Sequence, residues 1–223
     1  MHWSNIDEQM RRFAPFLRDQ VRLTQPQSNH LASQIADEIR SLPKEALDTI
    51  TAADPVGAHA RLEELKGFQM FMDMIGSTDP NPVVVRAQVI TQNYICFVYL
   101  GDACFKALRN AAPSGSVTKK CCQFLIDNPV RGLRNSLAHA NWTYRSDCGG
   151  LVFWARKGSD PNEALTRFEV DQNHLNFWQA LARCVANVAY TLIAETNSEL
   201  DAPNIPLRSG MVPPACQRLR GNQ

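Results

Sequence analysis

The stretch of sequence that decides the fold covers residues 128–144 and reads NPVRGLRNSLAHANWTY. Val130, Leu133 and Leu137 recur at helical spacing in its first part, which predicts a short helix with one apolar face. The asparagine and proline that open the stretch suit the cap and the first turn of a helix, where a missing N–H would be unpaired anyway. The end of the stretch changes to the period of a strand, so it joins a helical part of the chain to a β part.

The polar residues of this predicted helix lie off its apolar stripe. Asn135 and His139 are four residues apart, so they stack one above the other, and Arg131 and Arg134 lie beside Asn135. On a straight helix Arg134 and His139 point about 140° apart. Their joint action therefore needs an arginine that reaches around the helix, or a cleft wide enough for both.

An arginine, an amide and a histidine on one segment supply chemistry that can cleave RNA. The 2′-hydroxyl of RNA can attack the adjacent phosphate if a base takes its proton and a cation stabilises the transition state. Histidine titrates near neutral pH, so His139 is the candidate for proton transfer. Arg134 would hold two phosphate oxygens with its planar fork, and Asn135 would orient the histidine or the substrate. Three further polar residues are candidate RNA contacts: Arg131, Asn141 and Arg145.

Residues 134–139, RNSLAH, resemble the signature of the HEPN superfamily, the nucleotide-binding domains shared by higher eukaryotes and prokaryotes. The continuation over residues 138–144 is similar to members in which a short β-hairpin follows the motif. Active members are metal-independent ribonucleases that work as homodimers with the motifs at the interface. The resemblance implies such an endoribonuclease, in a toxin or phage-defence setting with an antitoxin or regulatory protein as partner. Other members are inactive, so a non-catalytic module that binds nucleotide, RNA or a partner protein is the alternative.

The same residues also have an ordinary interpretation. A histidine near the C-terminal end of a helix stabilises the helix dipole, and Arg134 could be solvated or pair with a carboxylate. A second arginine–histidine match, Arg167 and His174, lies where a predicted strand leads into a helix. There Arg167 is expected to face solvent or to pair with Glu169 on the same strand face. Spacing alone therefore does not separate a functional motif from surface residues.

Composition limits the class of protein. A chain of 223 residues is one domain or one domain with appendages. No apolar run is long enough to span a membrane and the N-terminus is not of signal-peptide type, so a cytoplasmic protein without a membrane partner is expected. Seven cysteines without a regular framework fit a reducing compartment and buried thiols.

Neither a metal nor a cofactor is expected. The sequence has no Cys-x2-Cys pair, no acidic cluster at metal-ligand spacing near the motif and no glycine-rich phosphate loop.

The net charge of +1 argues against binding of nucleic acid through an extended positively charged surface. Local clustering is different, because the basic residues around the motif could form a small basic cleft, with dispersed surface charge as the alternative. These residues are Lys119, Lys120, Arg131, Arg134 and Arg145.

The predicted fold class is mainly α, a helical bundle, HEPN-like by resemblance, with a small β-hairpin or three-stranded insertion before the last long helix. Residues 1–54 are expected to form a helical appendage packed on the main domain, residues 55–199 that domain, and residues 200–223 a Pro-rich basic tail. A homodimer is expected because the apolar faces of the central and motif helices exceed what one small bundle hides. The predicted helices are residues 4–22, 28–41, 46–52, 59–75, 82–111, 116–126 and 171–199 besides the motif helix, and the predicted strands are residues 143–147, 151–157 and 164–170.

Overall fold

The chain folds into a helical bundle with one small sheet. The computed structural model of the protein describes residues 23–76, 82–147, 149–156, 158 and 160–201. Within them the chain is mainly helical, with a three-stranded antiparallel sheet before the last long helix, so the predicted fold class is confirmed. The helices are α1 (Gln25–Arg40), α2 (Lys44–Ala53), α3 (Ala58–Gly76), α4 (Pro82–Asn93), a π-helix (Tyr94–Tyr99), α5 (Ala103–Ala111), α6 (Val117–Ile126), α7 (Val130–Ala138) and α8 (Gln172–Asp201). The strands are β1 (Trp142–Tyr144), β2 (Gly150–Ala155) and β3 (Thr166–Asp171).

The last helix, α8, supplies the centre of the hydrophobic core. Leu175, Leu181 and Val185 are completely buried on it, at the helical spacing that the sequence predicts. Asp171 caps this helix as expected, because its carboxylate accepts a hydrogen bond from the His174 N–H at 3.0 Å. Helices α1, α3 and α6 pack against α8, so it is the element around which the bundle is organised.

The sheet has the strand order β1-β2-β3, with both pairs antiparallel. Its register places Phe153 of β2 opposite Phe168 of β3, and the two rings stack with centroids 5.3 Å apart. Strand β1 ends at Tyr144 rather than Asp147, because the Asp147 carboxylate is used in the following turn, where it accepts a hydrogen bond from the Gly149 N–H at 2.9 Å. Strand β2 packs against α7, so the sheet backs the motif helix.

The prediction of a single long helix over residues 82–111 is wrong. The chain forms α4, the π-helix and, after a bend at residues 100–102, α5. Gly101 has a φ of 64°, a left-handed conformation that glycine adopts without strain. The apolar pattern continues through the bend, so hydrophobic periodicity does not reveal it. The consequence is that Asp102 lies at the start of α5, from which it reaches Arg134 on α7.

The described part of the N-terminal segment belongs to the same core as the rest of the chain. Leu31 and Ile35 of α1 are completely buried in the cluster that α8 centres. Glu38 of α1 accepts hydrogen bonds from the N–H groups of Val117 and Thr118, at 2.9 and 2.7 Å, and so caps the start of α6. The helix predicted over residues 4–22 lies outside the described residues, as does the tail after residue 201.

Asp54, at the expected domain boundary, is held in a buried ion pair. Arg61 donates hydrogen bonds to both of its carboxylate oxygens, at 2.9 and 3.0 Å, and the Tyr190 hydroxyl of α8 donates a third at 3.0 Å. Burial by itself would raise the pKa of Asp54, but the hydrogen bonds from Arg61, from the Val56 N–H and from Tyr190 outweigh it and lower the pKa. The junction after α2 is therefore tied directly to the last helix.

Candidate functional site

A polar cleft lies between α7 and the loop that joins β2 to β3. Its volume is about 360 Å³, at the lower end of the range for small-molecule sites. Four of the six predicted site residues line it, all from the motif segment: Arg131, Asn135, His139 and Asn141. We call this face of the cleft the helix wall.

Helix α7 is fixed against β2 by a close approach and by backbone hydrogen bonds. Gly132 permits the approach, because a Cβ at this position would lie only 3.0 Å from the Ala155 Cβ. The Ser136 hydroxyl lies 2.7 Å from the Trp154 carbonyl oxygen, and the Trp154 N–H donates to the Asn141 carbonyl at 2.9 Å. Both backbone polar groups of Trp154 therefore bond to the motif segment, which ties the helix wall to the sheet.

The end of α7 presents His139 and Asn141 side by side at the cleft. The Asn141 N–H donates to the Ser136 carbonyl at 2.8 Å, and the Ala140 N–H lies 3.4 Å from the Leu137 carbonyl, the bond pattern of a Schellman motif. Ala140 has a φ of 56°, in the left-handed region where glycine is the usual residue. Because no glycine stands here, the sequence contains no signal for this turn.

Asn135 and His139 are one turn apart on the helix wall, as their spacing predicts, and both are exposed. The His139 ring makes no hydrogen bond to any residue that the structure describes, so it can exchange a proton with a ligand. The Arg131 guanidinium donates to the Gly158 carbonyl at 3.1 Å and so reaches the opposite face of the cleft.

Helix α7 begins at Val130 with a proline at its cap position, one residue later than the asparagine cap that the sequence suggests.

The opposite face, which we call the loop wall, is formed by the β2–β3 loop and contains a cation that sequence reasoning missed. Arg156 lines the cleft, and its Nε donates to the Glu163 carbonyl at 2.9 Å. The Glu163 carboxylate accepts a hydrogen bond from the Gly158 N–H at 2.6 Å, which closes the loop on itself. Arg156 is distant from the motif in sequence, and only the docking of β2 on α7 brings it to the cleft that His139 also lines.

Arg134 does not line this cleft. Its Nη1 lies 2.7 Å from Asp102 Oδ2, and the same oxygen lies 2.5 Å from Lys106 Nζ. Burial by itself would raise the pKa of Asp102, but Lys106 and Arg134 outweigh it and lower the pKa. The structure therefore does not bring Arg134 together with His139, in keeping with the angle of about 140° that separates them on a helix.

Arg145 also lies outside the cleft, in a surface network on the sheet. Its guanidinium contacts the Asp147 carboxylate at 2.8 Å and the Glu169 carboxylate at 3.9 Å. The pairing expected for Arg167 is confirmed, because its Nη1 lies 2.5 Å from Glu169 Oε1. His174 is equally engaged, with its Nδ1 2.5 Å from the Asp171 carboxylate. The second arginine–histidine match thus consists of two residues that pair with different acids.

The described cysteines are free, and most of them are buried in the core. Burial raises the pKa of Cys96 to about 11 and that of Cys104 to about 12, so these thiols are poor nucleophiles at neutral pH. The described ranges contain no group of three or more histidine, cysteine, aspartate or glutamate side chains that could hold a metal ion. No helix in the same ranges is long and apolar enough to cross a bilayer.

In comparisons with family models, with curated proteins and with solved structures, the chain had no match. The resemblance of residues 134–139 to the HEPN motif therefore rests on those residues and their surroundings alone.

Proposed function

We propose that the protein binds RNA in the cleft between the helix wall and the loop wall and cleaves it without a metal ion. The observation that carries the proposal is that one cleft is lined by two arginines, Arg131 and Arg156, and by His139, whose imidazole is not hydrogen-bonded by any described residue. Guanidinium groups bind phosphate oxygens in pairs, and an imidazole transfers protons near neutral pH. Asn135 and Asn141 supply amides that can orient the ribose or the imidazole.

The reaction is an internal transfer of the phosphate group. His139 takes the proton of the ribose 2′-hydroxyl, and the 2′-oxygen attacks phosphorus while the bond to the 5′-oxygen of the next nucleotide breaks. Arg131 and Arg156 stabilise the negative charge that grows on the phosphate oxygens. The leaving 5′-oxygen receives a proton from an acid, and the products are a 2′,3′-cyclic phosphate and a 5′-hydroxyl. No metal is needed for these steps.

The mechanism also needs an acid that protonates the leaving 5′-oxygen, in addition to the base His139. Among the described residues each cleft contains one histidine, and base and acid are easiest to divide between two imidazoles. A homodimer with its two motif segments facing each other would supply the second histidine from the partner copy. In this arrangement Arg134, held by Asp102, positions α7 and does not touch the substrate.

The test is cleavage of a single-stranded RNA oligonucleotide by purified protein in the presence of EDTA. We expect 2′,3′-cyclic phosphate ends, and a loss of about 100-fold or more in rate for His139→Ala, since general acid–base catalysis contributes roughly that much. Arg156→Ala is expected to lose rate as well. The matched controls are His59→Ala and Arg167→Ala, an exposed histidine on α3 and an exposed arginine on β3, both outside the cleft. Equal activity in the wild type and His139→Ala would reject the reaction, because the cleavage would come from a contaminant.

A second function, RNA or nucleotide binding without cleavage, is favoured by one observation. The arginine of the motif is paired with a carboxylate and lies outside the cleft, so a single chain lacks the arginine–histidine pair on which HEPN-type cleavage would depend. Under this alternative the wild type binds the oligonucleotide and leaves it intact. His139→Ala would then change affinity only slightly, whereas Arg131→Ala and Arg156→Ala would weaken binding and reduce its salt dependence.

A further inference from the structure

The two walls of the cleft differ in chemistry. The helix wall offers guanidinium, imidazole and amide groups, whereas the loop wall extends from Arg156 to two apolar residues, Pro161 and Leu165. Leu165 is 48% exposed, one of few large apolar side chains in the described chain that remain so open to water. A ligand that bound only through a phosphate group, at the arginines, would leave Pro161 and Leu165 exposed to water.

We propose that the apolar end of the loop wall, Pro161 and Leu165, seats a nucleobase, and that the substrate is therefore an unpaired nucleotide of single-stranded RNA. This inference rests on the proposed function, because it adds a binding site for the base to the proposed binding site for the phosphate group. Arg131, Arg156 and Leu165 line the same cleft, so a phosphate held by the two arginines would leave its nucleoside within reach of the apolar end. A base in a duplex is stacked on both faces by its neighbours, so it cannot cover an apolar side chain unless it is unpaired.

The size of the cleft agrees with one nucleotide. A volume of about 360 Å³ accommodates a small ligand and is far too small for a paired helix. The seat is also held in place before the ligand arrives, because the Glu163 carboxylate bonds the Gly158 N–H at 2.6 Å and the Gly158 carbonyl accepts from Arg131 at 3.1 Å. A preformed seat costs less ordering on binding, which favours recognition of the base.

The experiment compares two 5′-phosphate ligands, of which only one has a base. Calorimetry measures the binding of adenosine 5′-monophosphate and of ribose 5-phosphate to the wild type, to Leu165→Asn and to Val56→Asn. Val56 lies in the turn between α2 and α3 and is also 48% exposed, but it is outside the cleft, so its variant is the matched control. We expect Leu165→Asn to weaken the binding of adenosine 5′-monophosphate about fivefold and to leave that of ribose 5-phosphate unchanged, since roughly half of a leucine side chain leaves water. Val56→Asn should change neither affinity.

A second arm uses the His139→Ala variant, which cannot turn the RNA over, with a single-stranded oligonucleotide and with the same sequence fully paired. Tighter binding of the single strand, lost in Leu165→Asn, supports the base seat. Equal weakening of both small ligands by Leu165→Asn, or no weakening of either, overturns it, as does equal binding of paired RNA. If neither small ligand binds the wild type, both proposals are rejected: phosphate binding by the two arginines and binding of the base by Pro161 and Leu165. If the seat behaves as expected but the wild type cleaves no RNA, the proposed reaction alone fails.

Discussion

Arg134 Nη1 lies 2.7 Å from Asp102 Oδ2, and their side chains are only 19% and 24% exposed. The arginine of the motif is thus used to join α7 to the start of α5, on a part of the helix that does not line the cleft. Charged groups that are largely withdrawn from water interact more strongly than surface pairs, so this contact stabilises the placement of the helix wall. The ordinary interpretation of Arg134, pairing with a carboxylate, is what the structure contains.

A double-mutant cycle tests this role of Arg134. We expect Arg134→Gln and Asp102→Asn each to lower the free energy of unfolding by about 1–2 kcal/mol, and the double variant to lose about 1 kcal/mol less than the sum, because the partner charge is no longer left alone. Urea denaturation measures all three variants. The RNA cleavage rates should fall by similar, modest factors in both single variants. A far greater loss in Arg134→Gln than in Asp102→Asn would instead assign Arg134 to the reaction.

Ala140→Gly should stabilise the protein. The alanine has a left-handed φ of 56°, which costs roughly 1 kcal/mol that glycine does not incur, although glycine also has more entropy to lose on folding. We expect a net gain of about 0.5 kcal/mol in the free energy of unfolding, measured by urea denaturation. Ala138→Gly, two residues earlier within α7, is the control and should lose about 1 kcal/mol. A destabilised Ala140→Gly variant would show that the left-handed turn is not formed in solution.

The buried ion pair at Asp54 should make stability depend on pH. Because the pKa of Asp54 is lowered in the folded chain, its contribution is complete above its unfolded pKa of about 4 and is lost as the pH falls through the lower, folded pKa. We expect Asp54→Asn to lower the free energy of unfolding by about 3 kcal/mol at pH 7, since Arg61 is left without this carboxylate. The difference in free energy of unfolding between the wild type and the variant should narrow below about pH 4. Urea denaturation at pH 7, 5 and 3 measures this difference.

The matched control for this series is Asp37→Asn, which removes an exposed pair with Arg40 on α1. It should change the free energy of unfolding by less than about 0.5 kcal/mol. A gap between the wild type and Asp54→Asn that stays constant down to pH 3 would contradict a lowered pKa.

The homodimer that the mechanism needs is testable by light scattering at micromolar concentration. Large apolar side chains remain exposed on α3, α4 and the π-helix, namely Met70, Met74, Ile90 and Tyr94, which fits a chain that associates. If the motif segments meet, Asn141→Cys, at an exposed position next to His139, should form a disulfide between two copies under oxidation. The wild type serves as the control for the native cysteines. A dimer that forms without this cross-link would favour binding without cleavage.

Local patterns in the sequence determined the secondary structure around the site. The apolar spacing of Val130, Leu133 and Leu137 placed the motif on a helix, and it correctly put Asn135 and His139 one turn apart on one face. The change of period after residue 141 located the sheet, and Asp171 marked the start of the last helix. Each of these signals lies within a few residues of the structure that it specifies.

Only the tertiary structure decided which polar side chains meet. Asp102 reaches Arg134 because Gly101 bends a segment whose apolar pattern reads as one uninterrupted helix. Arg156 lines the same cleft as His139 because β2 docks on α7 through Gly132 and Ser136. Periodicity reports which face of an element is buried, but a contact between distant residues depends on how the elements pack. The sequence by itself therefore placed His139 and Arg131 at the cleft, and the tertiary structure added Arg156 and placed Arg134 outside it.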